Sequence, residues 1–200
     1  IIAAEERPRK LQIDESPQKL FQVDHHIGIA AAGYIPDARS QVDDARFFSQ
    51  SNKLVYDEPV DVETVAKHLA DQAQHYTQYA GVRPFGVSLI IGGIDQQGSS
   101  LFLTDPSGTY IPYNAVAIGS NSDKVTEFLR KEYKDDITID DAKILAIAGI
   151  NQVAENTENS NYIKMSQIIN DTKHFKMLSD EEVDKIVQIS KEKYAIEPKK

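Results

Sequence analysis

Two stretches of the chain put more chemistry into a turn than a turn requires. The first is Gly33-Tyr34-Ile35-Pro36-Asp37-Ala38-Arg39, followed by Asp43 and Arg46. It sets acids and arginines at and just after a strand-to-helix turn, where they can pair along a helix surface or meet a charged partner. The second is Tyr76-Thr77-Gln78-Tyr79-Ala80-Gly81-Val82-Arg83-Pro84-Phe85-Gly86. Its two tyrosines precede a loop marked by Gly and Pro, more aromatic and polar detail than a helix-to-strand connection needs. Other familiar constellations are missing. His68 and His75 share a helix face but lie two turns, roughly 10 Å, apart, too far for one metal ion. With His25, His26 and His174 they read as surface or boundary histidines, and no HExxH or GxSxG pattern occurs. Gly92, Gly93 and Gly98 fit a hairpin, because no helix start follows them at the spacing of a phosphate loop. The chain has no cysteine, which removes disulfides, thiolate zinc sites, iron–sulfur clusters and cysteine nucleophiles. No metal and no other cofactor is expected.

The elements that must position these stretches follow from periodicity. Short extended segments, Ile1 to Glu5, Lys10 to Asp14, Leu20 to Asp24 and Ile27 to Gly33, give way to helical spacing at Ala38, Val42, Ala45 and Phe48, so a helix is predicted over about 37–52. A second helix follows Asp61, a candidate cap, with Val62, Val65, Ala66, Leu69 and Ala73 on one face. Strands return at Gly86 to Ile94, Ser100 to Thr104, Tyr110 to Tyr113 and Ala115 to Gly119. Ser122 then caps a helix bearing Val125, Phe128 and Leu129. Thr138 and Asp141 open another with Leu145, Ala146, Gly149 and Val153 inward. A hairpin over 162–169 and 173–177 precedes a last helix, capped by Ser179 and Glu182 and carrying Val183, Ile186 and Val187. Runs of strands alternating with runs of helices indicate α+β architecture, with two antiparallel sheets face to face and helices on each outer side. No composition break divides residues 1–200, which are expected to form a single domain.

Charge narrows the partners. Lys and Arg total 22 against 31 Asp and Glu, a net charge of −9, and no dense basic stripe offsets it, so nucleic acid is not an expected partner. No stretch approaches the ~20 apolar residues of a membrane span, and neither a membrane partner nor a secretory signal is expected. With cysteine absent, a cytoplasmic location is the expectation.

The second stretch, extended to Val87-Ser88-Leu89, closely resembles the YTQxGGVRPFGVSL segment of proteasome α subunits, as found in archaea. Asp37-Ala38-Arg39 with Asp43 and Ala45-Arg46 is similar to their DARxxxDxAR helix. Thr104-Asp105-Pro106-Ser107-Gly108, Ala117-Ile118-Gly119-Ser120 and Glu132-Tyr133 with Asp136 and Ile137 match later landmarks in order. The resemblance covers essentially the whole chain.

It implies a four-layer αββα sandwich of the N-terminal-nucleophile hydrolase type, in agreement with the element order. It further implies a non-catalytic subunit of the outer seven-membered ring of the 20S core, gating access to the chamber in which β subunits cut peptides with an N-terminal threonine. The implied partners are other α subunits, β subunits, a regulatory ATPase of the proteasome-activating nucleotidase type and unfolded protein substrates. Lys19 matches the lysine of the pocket that receives the ATPase's C-terminal tail, and Gly33 and Tyr34 fall where that pocket's wall lies. Tyr79, Ala80, Gly81 and Val82 match the loop lining the ring's pore, with Ala80 where Gly is more usual. The family's gate helix and first strand would precede Ile1. A rival reading is a self-sufficient N-terminal-nucleophile hydrolase, which would need a processed Thr, Ser or Cys; another is a ring-forming scaffold without a protease partner.

Overall fold

The structure, a computed structural model, describes residues 1–6, 11, 19–154 and 162–194. Among these residues the elements follow in the order β1 (Ile2–Glu5), β2 (Leu20–Asp24), β3 (Ile27–Gly33), α1 (Ile35–Tyr56), α2 (Val62–Tyr76), β4 (Val87–Ile94), β5 (Ser99–Thr104), β6 (Tyr110–Pro112), α3 (Ser122–Glu132), α4 (Ile139–Val153), β7 (Ile163–Ile168), β8 (Phe175–Met177) and α5 (Asp180–Lys193). The strands form two antiparallel sheets, β2-β3-β4-β5-β6 and β1-β7-β8.

Three apolar clusters fill the three spaces between four layers. Val42, Ala45, Val65 and Leu69 of α1 and α2 pack against Ile29, Leu89 and Ile91 on one face of the larger sheet. Ile2, Leu20 and Ala30, joined by Ile90 and Met177, lie between the sheets. Ile147, Met165, Val183 and Val187 join α4 and α5 to the smaller sheet. Being covered on both faces explains why β3 and β4 read as nearly continuous apolar runs instead of alternating. This is the expected αββα sandwich.

Local signals decide some helix ends and distant groups decide others. Ser179 and Glu182 form a complete capping box for α5, and the Thr138 hydroxyl accepts from the Asp141 N–H at the start of α4. Asp61 precedes α2 but makes no side-chain cap. The Val62 N–H donates instead to Asp95 Oδ2 at 3.0 Å, a carboxylate from the far end of β4. Ser122 is the first residue of α3, not its cap; the residue before it, Asn121, is left-handed and makes no cap bond. The first helix is longer than predicted, because Pro36 is tolerated in its opening turn and Asp57 ends it in the left-handed region.

No strand forms over 115–119. Pairing with β5 stops after the Tyr113 N–H donates to Leu101 O at 2.9 Å, and β6 is the edge of its sheet, with Pro112, which has no N–H, turned to the unpaired side. The extended segment expected at Lys10 to Asp14 lies outside the described residues except for Leu11. Among the described residues, no helix is long and apolar enough to cross a membrane.

Candidate functional site

Strand β3 delivers Gly33 and Tyr34 to the point where the chain turns into α1. Gly33 adopts φ +126°, a conformation L side chains rarely adopt, and a Cβ there would stand against the Gly86 carbonyl oxygen and 2.9 Å from Val87 Cα. The close approach lets the Tyr34 N–H donate to Gly86 O at 2.8 Å, one residue beyond the Gly33–Val87 pairing. The start of α1 is thereby tied to the segment leading into β4.

Asp37, in the first turn of α1, makes the second tie. Its Oδ2 and Oδ1 accept from Arg83 Nη1 and Nη2 at 2.7 and 2.9 Å, and Oδ2 also accepts the Gly86 N–H at 2.8 Å. The side chain of Asp37 is only 13% exposed while that of Arg83 is 62% exposed. Bonding to the Arg83 guanidinium, helped by the Gly86 N–H, holds the Asp37 carboxyl below its ordinary range against the opposing effect of burial. The Arg83 guanidinium carbon also lies 5.4 Å from the centre of the exposed Tyr34 ring.

Between α2 and this clamp runs the loop of Tyr79, Ala80, Gly81 and Val82, all exposed. Its base is closed twice. The Tyr76 and Phe85 rings lie 4.6 Å apart, and Arg83 grips Asp37. Its tip is open, and Gly81, at φ +84°, has nothing within 4 Å of where a Cβ would stand. The loop is thus fixed at its root and free at its apex.

Lys19 enters β2 beside β3, where its carbonyl accepts the Ala31 N–H at 2.9 Å. Gly33 lies two residues further along the same strand, about 7 Å on. The Lys19 ammonium donates to Glu5 O at 2.6 Å and its backbone N–H to Glu6 Oε1 at 2.6 Å. An ammonium has three donors, so the Glu5 bond leaves capacity for a carboxylate. Lys19 also borders a cavity of about 640 Å³ between the sheets, whose walls include Ala30, Ile90, Tyr113 and Ser166. Ser16, Pro17 and Gln18 of its motif lie outside the described residues.

The sequence comparisons decide what these parts belong to. The family described as Proteasome subunit matches residues 1–168. The chain belongs to the proteasome subunit family. Curated relatives called proteasome subunit alpha include one from Methanosarcina acetivorans, 41% identical over 180 residues, or 90% of this chain and 73% of that protein. The Archaeoglobus fulgidus protein is 40% identical over 193 residues, 96% of this chain and 78% of its own length. That of Saccharolobus islandicus is 44% identical over 159 residues, 79% of this chain and 66% of its own. The sandwich of this proteasome-family chain is therefore of the N-terminal-nucleophile hydrolase type.

The Asp37–Arg83 pairing was not legible in the sequence, where Asp37 and Arg39 suggest only near neighbours in a helix. Of the pairs expected along α1, Asp43 and Arg46 do meet, at 3.0 Å, and the Arg46 Nε–H also reaches Gln22 O on β2 at 2.9 Å. The histidines need one correction. His75 and His174 are exposed, and His68 bonds Asp44 at 2.6 Å and stacks on Phe48 at 4.0 Å. His26, by contrast, is a core residue, 2% exposed, because the tight β2–β3 turn folds it inward against Val60.

Proposed function

We propose that this chain is a non-catalytic α-type subunit of a 20S proteasome core, a single α-type domain. Seven copies form an outer ring that stacks on β subunits, admits unfolded proteins in the cytoplasm to the proteolytic chamber and docks a regulatory ATPase. Similarity to several archaeal proteins called proteasome subunit alpha supports the assignment. The observation that carries the finer reading is the clamp of Asp37 on Arg83 and Gly86. It joins the turn bearing Gly33 and Tyr34 to the loop bearing Tyr79 to Val82, so the docking wall and the pore-side loop share one frame.

In this reading the ATPase tail presents its terminal carboxylate to Lys19, which captures it by a charge-assisted hydrogen bond. Gly33 and Tyr34 form the wall beside it. The exposed loop of Tyr79, Ala80, Gly81 and Val82 faces the axial opening, where small residues at 80 and 81 keep the passage wide enough for an unfolded chain. Lys19→Ala should abolish stimulation of peptide hydrolysis by an ATPase C-terminal peptide in reconstituted α–β cores while native mass spectrometry still shows seven-membered rings. Undiminished stimulation removes Lys19 from the pocket, and failure to form rings or to bind β subunits overturns the assignment itself.

A further inference from the structure

Where β2 turns into β3, at the opposite end of these strands from Lys19 and Gly33, Asp24, His25 and His26 bring one carboxylate and two imidazoles together. One ligand atom from each lies within 4.8 Å of the other two. A register irregularity between Gln22 and Asp24 interrupts the ladder just before the turn. Such bulges re-aim side chains, and here Asp24 is left buried beside two histidines.

The hydrogen bonds fix the state of the buried ring. His26 Nε2 lies 2.8 Å from the Val60 carbonyl oxygen, which can only accept, so Nε2 carries a proton. In the neutral ring Nδ1 is then a bare lone pair. Among the described residues it has no hydrogen-bond partner, and neither does Asp24 Oδ2, 3.8 Å away. Two buried, electron-rich atoms facing each other without a hydrogen between them are costly unless a cation joins them. Protonating His26 does not supply the join, because 3.8 Å is too long for a hydrogen bond. Among the described residues, no lysine or arginine is paired with Asp24.

We propose that Asp24 Oδ2, His26 Nδ1 and His25 Nδ1 bind a divalent transition-metal ion of the zinc class. A tetrahedral zinc ion at about 2.0–2.1 Å from its ligands spaces them about 3.4 Å apart. The two unpartnered atoms, His26 Nδ1 and Asp24 Oδ2, stand 3.8 Å apart, close to that value, and His25 Nδ1, which lies 3.0 Å from Asp24 Oδ1 and donates to it, would give up that proton to bind the ion. Donation from His26 Nε2 to a backbone carbonyl is the outer support that metal-binding histidines ordinarily have. Two imidazoles favour zinc, cobalt or nickel over magnesium or calcium, which prefer oxygen. The fourth position opens to water past His25, whose side chain is 37% exposed and whose ring lies 5.5 Å from that of His174. The ion pins the β2–β3 turn, which is also held to β8 by the Phe175 N–H donating to His25 O.

The test is titration of the assembled full-length chain with Co²⁺ alone, followed by Zn²⁺. The expected result is one Co²⁺ per chain with a visible absorption band of tetrahedral strength, displaced by Zn²⁺ and indifferent to excess Mg²⁺. His25→Gln, at a half-exposed turn position, should weaken binding at least about 100-fold, the upper end of the loss seen when only a supporting partner of a ligand is removed. Asp24→Asn should do the same and keeps the shape of the side chain if His26→Gln fails to fold. No saturable binding, equal displacement by Mg²⁺, or unchanged affinity in both His25→Gln and Asp24→Asn would overturn the proposal.

Discussion

Gly33 is the position at which the fold and the proposed docking wall make the same demand. Gly33→Ala imposes two costs. The first is the backbone conformation: a non-glycine residue held at φ +126° carries about 1–3 kcal/mol of strain. The second is displacement. The new methyl meets the Gly86 carbonyl oxygen and Val87 Cα, both backbone atoms that cannot rotate away, so the Tyr34 N–H bond to Gly86 O must lengthen or break. A typical hydrogen bond contributes about 0.5–1.5 kcal/mol, which brings the expected loss to about 2–4 kcal/mol. Gly81→Ala is the internal control. It also has positive φ, at +84°, but open space around it, so only the conformational cost of about 1–2 kcal/mol applies. The assay is urea unfolding of each variant at one fixed chain concentration, because assembly shifts apparent stability. The expected order is Gly33→Ala well below Gly81→Ala, with Gly33→Ala also losing stimulation by a tail peptide. Unfolding free energies for the two variants that agree to within about 0.5 kcal/mol would refute the reasoning, since the steric conflict would then have relaxed at no cost.

Asp37→Ala should destabilise the chain by about 1–3 kcal/mol, because it strands the part-buried Gly86 N–H, whereas Arg83→Ala, which leaves that bond intact, should cost clearly less; urea midpoints check the order, and equal losses would contradict it. Acid should loosen α5 through Glu182, whose carboxyl is held down to about 2 from 4.5 by Lys176 and the Ser179 N–H. A carboxyl depressed in the folded state stabilises above its unfolded value and loses that contribution as pH falls from about 4.5 towards about 2, so Glu182→Gln should flatten the thermal midpoint over that window. An unchanged acid slope would remove Glu182 from the cause.

What could be read from the sequence divides by distance along the chain. The capping box of Ser179 and Glu182 spans three residues and involves only its own helix, so its chemistry is visible in a short window. The cap of α2 is not. Asp61 has the right residue type in the right place, but Asp95, brought beside it by β4, supplies the carboxylate. The segment 115–119 illustrates a different failure. Its apolar content suggests a strand, yet pairing with β5 ends at Tyr113 and the segment lines the inter-sheet cavity instead. Periodicity finds faces, and it cannot say whether a neighbour remains to pair with.

For the site, residue types drew attention to both stretches, and the family motifs gave them roles, but neither showed that the two are one object. Asp37 and Arg83 are separated by three intervening elements: the rest of α1, α2 and the loop. They meet because Gly33 lets the backbone of β3 approach that of Gly86, which brings the first turn of α1 over the root of the loop. The steric permission at Gly33 therefore precedes the electrostatics at Asp37, and the electrostatics in turn set the loop's root while its apex stays free. That order predicts a direction of dependence. A substitution at Arg83 leaves the Gly33–Gly86 approach and the Tyr34 bond in place, whereas one at Gly33 disturbs the clamp, the loop and the proposed docking wall together. Arg83→Ala should retain tail-peptide binding in rings that Gly33→Ala cannot support, and loss of binding in both would mean that the guanidinium itself, over the Tyr34 ring, belongs to the pocket.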